Sequence, residues 1–222
     1  MRLIERTFAS PEENVAFDER LLDEAIAAKR DGRPIEETLR LWEPEQIFVV
    51  VGRSSDPAVE VKLSECERRG VPMLRRCSGG AAIVAGPGCL MYAVVLSAAR
   101  EMDLAKVGLA HAFVLGRLEA ELNKHVPGVR RLGISDLAVV SQGRYEWTAL
   151  KFSGNSLRIK QGCVLYHGTL LYNFPLEDIG ALLNEPPRQP DYRDRRSHAA
   201  FVENLPLNRE RLRQAVIDAF DG

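Results

Sequence analysis

From Asp136 to Tyr172 the chain reads as four strand-like runs with no helical segment between them: 136–140, 148–152, 156–159 and 164–172. Successive strands joined by short connections pair most simply as antiparallel neighbours, whereas a doubly wound nucleotide fold needs a crossover helix between strands. Helical periodicity is confined to separate stretches. Val15, Phe17, Leu21, Leu22, Ala25 and Ile26 recur at helical spacing from Glu12 to Arg30, and Asp31-Gly32 ends that run. Val107, Ala110, Val114, Leu115, Leu118 and Leu122 share one face of a helix over Leu104–His125. Shorter helices are predicted near 59–69, stopping at Gly70, near 176–183, and over 208–220. The remaining strands fall at 2–8 (an edge strand), 39–42 and 47–51 around a Glu-Pro turn, 72–75, 82–84 and 89–96. Strands in groups with helices set between the groups predict an α+β fold with mixed or antiparallel sheets flanked by helices. The polar stretch Asn184–His198 lies between helices and reads as an ordered surface loop.

A chain of 222 residues is long enough for one sizeable core, and a single domain over 1–222 is expected. The formal net charge of −1 gives no global attraction to nucleic acid or to an anionic membrane. Cys66, Cys77, Cys89 and Cys163 form no CxxC pair, against a zinc site or a disulfide framework. The first residues are too polar for a secretory signal, and the apolar run near Cys89–Ala99 is too short to span a bilayer, so a cytoplasmic protein is expected.

Three segments carry candidate chemistry. Arg75-Arg76-Cys77-Ser78-Gly79-Gly80-Ala81-Ala82 sets two arginines beside a Gly-Gly turn, whose bare backbone N–H groups suit a carboxylate or phosphate; a plain turn has the same composition. Lys151, in Lys-Phe-Ser153-Gly154-Asn, ends a strand and suits a fixed positive charge in a pocket; by itself it reads first as a solvated lysine on a polar strand face. His167-Gly168-Thr169 interrupts an apolar strand, and such a histidine is more often simply hydrogen-bonded in the core.

Taken in order, RRCSGGAA, SDLAV, LKFSGNSLR and YHGTLL resemble the lipoate–protein ligase family. That family has an Arg-Arg-x-Ser-Gly-Gly-Gly loop, then Asn-Asp, then Lys-x-Ser-Gly, then His-Gly-Thr-Leu-Leu. Leu39–Trp42, Val51–Ser54 and Asn14 extend the resemblance, which runs to about residue 205. The loop is less like that of biotin–protein ligases, which is rich in alternating Gly-Arg. The resemblance implies a biotin/lipoate-ligase type of catalytic domain that uses ATP and Mg²⁺. Such an enzyme makes lipoyl-AMP and passes the acyl group to a lysine of an acceptor lipoyl-domain protein. It implies Lys151 as the catalytic cation. Trp42, Arg76, Ser78, Gly79, Gly80, Ala81, Ala82, Ser153, Gly154, His167, Gly168 and Thr169 would line the substrate and nucleotide site, and Asp136 would help hold Mg²⁺.

The chain departs from that pattern. Ala81 replaces the third glycine, Ser135 replaces the Asn of Asn-Asp, and Ala85-Gly86-Pro87-Gly88-Cys89 stands where the family has His-Asp-x-Gly-Asn. These changes remove polar groups near the expected nucleotide site. Many members also carry a smaller C-terminal domain. None is expected within 1–222; either the chain works alone by another route, or a separately encoded small subunit completes it. Two other readings stay open: an octanoyl or lipoyl transferase that carries its acyl group on a cysteine thioester, and a non-catalytic lipoyl-binding subunit.

Overall fold

A computed structural model describes residues 1–99, 103–143 and 147–221. Two sheets form the frame. The larger contains β1 (Arg2–Glu5), β2 (Thr38–Trp42), β6 (Cys89–Ser97), β7 (Val129–Leu132), β8 (Asp136–Gln142), β9 (Trp147–Lys160) and β10 (Cys163–Leu171), in the order β1-β2-β6-β10-β9-β8-β7. Only β1 and β2 run parallel within it. The smaller sheet has the order β4-β3-β5, from β3 (Phe48–Val51), β4 (Met73–Arg75) and β5 (Ile83–Ala85). The fold is therefore α+β with mixed sheets, as the grouping of strands predicts.

Period-two alternation explains how the large sheet is covered. Ala93 and Val95 of β6, with Cys163 and Leu165 of β10, turn to one face and pack on Leu21, Leu22 and Ala25 of α1 (Pro11–Arg30). Leu90, Tyr92, Val94 and Leu96, with Val164 and Tyr166, turn to the other. There they meet Ala110, Val114, Leu115, Leu118 and Leu122 of α4 (Val107–His125), and Leu212, Ala215 and Val216 of α7 (Arg209–Phe220). Both faces being covered, the central strands read as apolar runs. Ser10 caps α1 by accepting from the Glu13 N–H, and Asn208 caps α7 through the Arg211 N–H.

Several expectations are corrected. The helix read over 59–69 is two, α2 (Pro57–Glu60) and α3 (Leu63–Arg69). Buried Val61 between them is extended and bridges Leu183, and Gly70 ends α3 in the left-handed region as read. Leu104 packs in the core ahead of α4 rather than within it. The strands read at 39–42 and 47–51 belong to different sheets, and Trp42 and Phe48 stack across the corner at 6.4 Å. Strand β7, with exposed Arg130 and Arg131, was not read at all.

The two strands read at 148–152 and 156–159 are one continuous strand, β9. Leu137 pairs with Ser153 but Ala138 pairs with Lys151, so Phe152 is an extra residue in the ladder. This bulge reverses the alternation. Phe152, Leu157 and Ile159 all face the α4 core, and Lys151 turns to the opposite side with Gly154 and Ser156. Alternation broken at that point is what made one strand look like two.

The segment 184–198 is ordered: it holds a 3₁₀ turn at Asp191–Arg193, Arg193 pairs with Glu185, and Arg196 donates to the Ala149 carbonyl. It leads into α6 (His198–Phe201), while α5 (Glu177–Leu182) precedes it. Leu115 is fully buried between α4 and the sheet. Leu115→Ala is expected to lower the unfolding free energy by about 2–5 kcal/mol, read from urea denaturation.

Candidate active site

The loop after β4 is shaped by Arg76. Arg76 is buried and donates to the carbonyl oxygens of Gly79 (2.6 Å), Ala81 (2.9 Å) and Val50 (3.2 Å), and to Ser78 Oγ (3.1 Å). Burial lowers its pKa to about 10, which leaves it charged at neutral pH. Arg75 donates to the carbonyls of Gly52, Arg53 and Ser55. Neither guanidinium is thus the free anion-binding fork that the sequence offers; Arg76 braces its own loop, and Arg75 braces the turn at residues 52–55. The glycines permit this packing. A Cβ on Gly52 would lie 2.0 Å from the Gly80 oxygen, and Gly80 itself has φ of +87°.

Behind the loop runs a buried polar chain. Ser78 Oγ is 2.6 Å from His167 Nε2, His167 Nδ1 is 3.2 Å from Asp18 Oδ2, and Asp18 Oδ1 is 2.6 Å from Arg40 Nη1. Arg40, fully buried in the middle of β2, also donates to the backbone and side-chain oxygens of Asn14 and to the Arg6 carbonyl. One proton arrangement links Ser78, His167 and Asp18: Ser78 accepts from Arg76 and donates to Nε2, and Nδ1–H donates to Asp18, while Arg40 Nε is left without a partner. His167 thereby ties the loop to α1. Asp18 and Arg40 were not read as site residues. The signal was present in Arg40, a charged residue inside the otherwise apolar strand Leu39-Arg40-Leu41-Trp42.

In front of the loop opens a cavity of about 700 Å³. Val15, Trp42, Val50, Ile83 and Met91 give it apolar wall. Arg76, Gly80, Ala81, Ala82, Asp136, Lys151, Gly154, His167, Gly168 and Thr169 also line it. Ser153 lines a second, smaller slot of about 130 Å³, shared with Lys151, Ala81, Ala82, Gly154 and Thr169. Ser78 and Gly79 line neither; Ser78 is buried against His167, and the Gly79 carbonyl accepts from Arg76 and from Ser156 Oγ at 2.7 Å. Ala85–Cys89 also line neither cavity. They turn from β5 into β6, where the Gly88 carbonyl accepts from the backbones of Tyr172 and Asn173. The departure from His-Asp-x-Gly-Asn therefore lies away from both cavities.

Lys151 stands where cavity and slot meet, its Nζ 2.7 Å from Asp136 Oδ1. The other carboxylate oxygen accepts from Tyr192 Oη at 2.8 Å, and burial followed by Asp136 pushes that phenol well above its usual range. Tyr192 comes from the 184–198 segment, which walls the cavity with Pro186, Arg188 and Arg193 and was read only as a surface loop. Among the described residues no three His, Cys, Asp or Glu groups stand together as a metal cage. Asp136 is a single carboxylate at the cavity wall, a donor set that fits Mg²⁺ only with phosphate oxygens completing the shell.

The four cysteines are elsewhere. None lines either cavity, and burial pushes the thiols of Cys77 and Cys89 up to about 11 and 12. Cys66 and Cys163 are raised by burial too.

Residues 10–221 match the family model of the lipoyl protein ligase A/B catalytic domain. The chain belongs to that family. It is 30% identical over 192 residues to a lipoate-protein ligase A of Psychrobacter cryohalolentis, an alignment covering 84% of this chain and 52% of that protein. The chain thus spans about half the length of that curated relative. It is also 25% identical to octanoyltransferase LipM of Oceanobacillus iheyensis, over 85% of this chain and 71% of that one. Two solved structures share the fold over 99% of the chain. One is a bi-partite lipoate protein ligase of Thermoplasma acidophilum, with TM-score 0.74, 22% identity and 82% of that chain covered. The other is a lipoate-protein ligase A bound with ATP, with TM-score 0.71, 23% identity and 83% covered.

Gly168 carries a constraint of its own. A Cβ there would fall 1.8 Å from Asn155 Oδ1, and Asn155 in turn holds the Ser135 carbonyl and Ser153 Oγ beside the site. Gly168→Ala is expected to displace Asn155 and cost about 1–3 kcal/mol of stability, read by chemical denaturation.

Proposed function

We propose that this chain is an ATP-dependent lipoate–protein ligase that forms lipoyl-AMP and transfers the lipoyl group to a lysine of an acceptor lipoyl-domain protein. The observation that carries the reading is the position of Lys151. Lys151 lines both a large, partly apolar cavity and a smaller slot, as does Arg193, which is paired with Glu185; this junction suits the meeting of an acyl carboxylate and a nucleotide phosphate. The wall of Val15, Trp42, Val50 and Met91 suits the acyl chain and its ring. The slot, edged by Ile83, Val84, Phe152, Leu183 and Phe201, suits a flat base. The ATP-bound ligase of the same fold supports a nucleotide site here.

In the first half-reaction a lipoate carboxylate oxygen attacks the α-phosphorus of ATP, the bond to the β-phosphate oxygen breaks, and pyrophosphate leaves. In the second, the acceptor amine attacks the acyl carbon, the bond to the phosphate oxygen breaks, and AMP leaves as the nitrogen gives up its proton. Lys151 offsets the charge that gathers on the phosphate and on the tetrahedral oxygen; fixed by Asp136 in a partly enclosed site, it needs no rearrangement to do so. The Arg76-braced loop and the His167 relay keep the cavity wall in place while both reactants are held in line. Mg²⁺, bound through Asp136 and the phosphates, would add neutralisation of the polyphosphate. The acceptor and any accessory subunit are part of the proposal. The Thermoplasma ligase is described as bi-partite, and a small separate subunit serving this chain in the same way is the matching arrangement. No helix among the described residues is long and apolar enough to cross a membrane; a cytoplasmic location is part of the proposal.

The likeness to an octanoyltransferase favours a second reading, a transferase working through a cysteine thioester. Against it stand four cysteines outside both cavities, with thiols held away from the thiolate.

The test is the intact mass of an apo lipoyl-domain protein after incubation with the chain, lipoate and Mg²⁺, with and without ATP. A lipoyl mass increase only with ATP is expected; modification with an octanoyl donor in its absence would overturn the ligase reading. If neither tube reacts, adding a candidate small subunit with ATP separates an incomplete enzyme from a non-catalytic subunit. Lys151→Ala is expected to slow adenylate formation on the order of 100-fold or more, while Cys77→Ala and Cys89→Ala leave it within about twofold.

A further inference from the structure

The slot beside Lys151 contains a histidine that the mechanism above does not use. His198 opens α6 and lines the slot. Its Nε2 lies 3.2 Å from the carbonyl oxygen of Asn184. A carbonyl only accepts, so Nε2 carries the proton and donates. In the neutral ring Nδ1 is then a bare acceptor, and it has no partner among the described residues. Burial, the largest influence, lowers the pKa of the imidazole and keeps this neutral form at pH 7. The ring is also held from its backbone, because the His198 N–H donates to Glu185 Oε1 at 3.3 Å, while Glu185 is itself paired with Arg193.

Other side-chain acceptors border the slot as well. Glu60 has one carboxylate oxygen committed to the Ala82 N–H at 2.5 Å, and Ser153 Oγ already accepts from Asn155. Phe201, on the same short helix as His198, forms part of the wall and has the Arg193 guanidinium stacked on it at 4.8 Å. A largely apolar slot with the uncharged His198 acceptor fixed in its wall suits a ring that presents a hydrogen-bond donor at its edge.

We propose that His198 reads the nucleobase, accepting at Nδ1 a hydrogen bond from an exocyclic amino group, so that the slot selects adenine over a purine lacking that group. This rests on the reading that the slot holds the base of ATP. Inosine is disfavoured further, since its exocyclic C6 carbonyl oxygen would set one lone pair against another.

Calorimetric titration of the lipoate-free chain with ATP and with purine riboside triphosphate, which differs only by the missing amino group, tests this. ATP is expected to bind about five- to tenfold more tightly. His198→Ala and the ring-sized His198→Phe should both bring the two ligands within about twofold of each other, with lipoate affinity and melting temperature reporting on the fold. A merely structural role for His198 would weaken both nucleotides alike and leave their ratio standing. If the wild-type chain binds both triphosphates equally, or the variants keep the full ratio, the proposal is overturned and the ATP reading survives. Were the wild-type chain to bind neither, alone or with lipoate present, the ATP reading would fail and this one with it.

Discussion

The buried ion pair between Arg40 and Asp18 fixes the geometry on which the site depends. Arg40 sits in the middle of a fully buried strand, where an isolated guanidinium would be prohibitively costly. It is tolerated because Asp18, the carbonyls of Asn14 and Arg6 and the Asn14 side chain engage both terminal nitrogens, leaving only Nε unpartnered, and because the rings of Phe17 and Trp42 lie about its face at 4.8 and 4.9 Å. Such a pair contributes little net stability compared with an apolar substitute, but losing one partner is expensive. Its use here is directional. With one oxygen of Asp18 held by Arg40, the other is left for His167, and His167 then fixes Ser78 and the glycine loop. A polar chain about four side chains long transmits the position of α1 to the wall of the cavity.

Most of the frame was legible because its elements obey one period each. The apolar face of α4 repeats every three to four residues, and β6 and β10 are apolar on both faces because helices cover both. What was not legible is where tertiary contact overrides the local pattern. The bulge at Phe152 hides the continuity of β9, although that same irregularity turns Lys151 out of the core. The corner between Trp42 and Phe48 separates two strands that sequence proximity would pair. The site was legible as motifs and illegible as contacts. The sequence marks Arg76, but not that its donors are spent on carbonyls. Asp136 is marked, but not Tyr192, which reaches it from 56 residues away. Asp18 and His167 are 149 residues apart, and no spacing rule connects them.

The Lys151–Asp136 pair shows how the site reconciles burial with reactivity. A lysine aimed into a cavity with apolar walls would turn to solvent unless a counter-charge accompanied it. Asp136 supplies that charge at 2.7 Å, which holds the ammonium in place before any ligand arrives. The same pairing leaves the lysine partly neutralised, so a bound anion must share it rather than capture it whole. Tyr192 bears on that balance. By donating to the second carboxylate oxygen it disperses negative charge away from Lys151 and pins the carboxylate to the wall formed by residues 186–193. The result is a cation that is positioned by its partner without being fully quenched by it. That is the property the proposed reaction wants, in which charge builds on a phosphate and then on an acyl oxygen at nearly the same point in space.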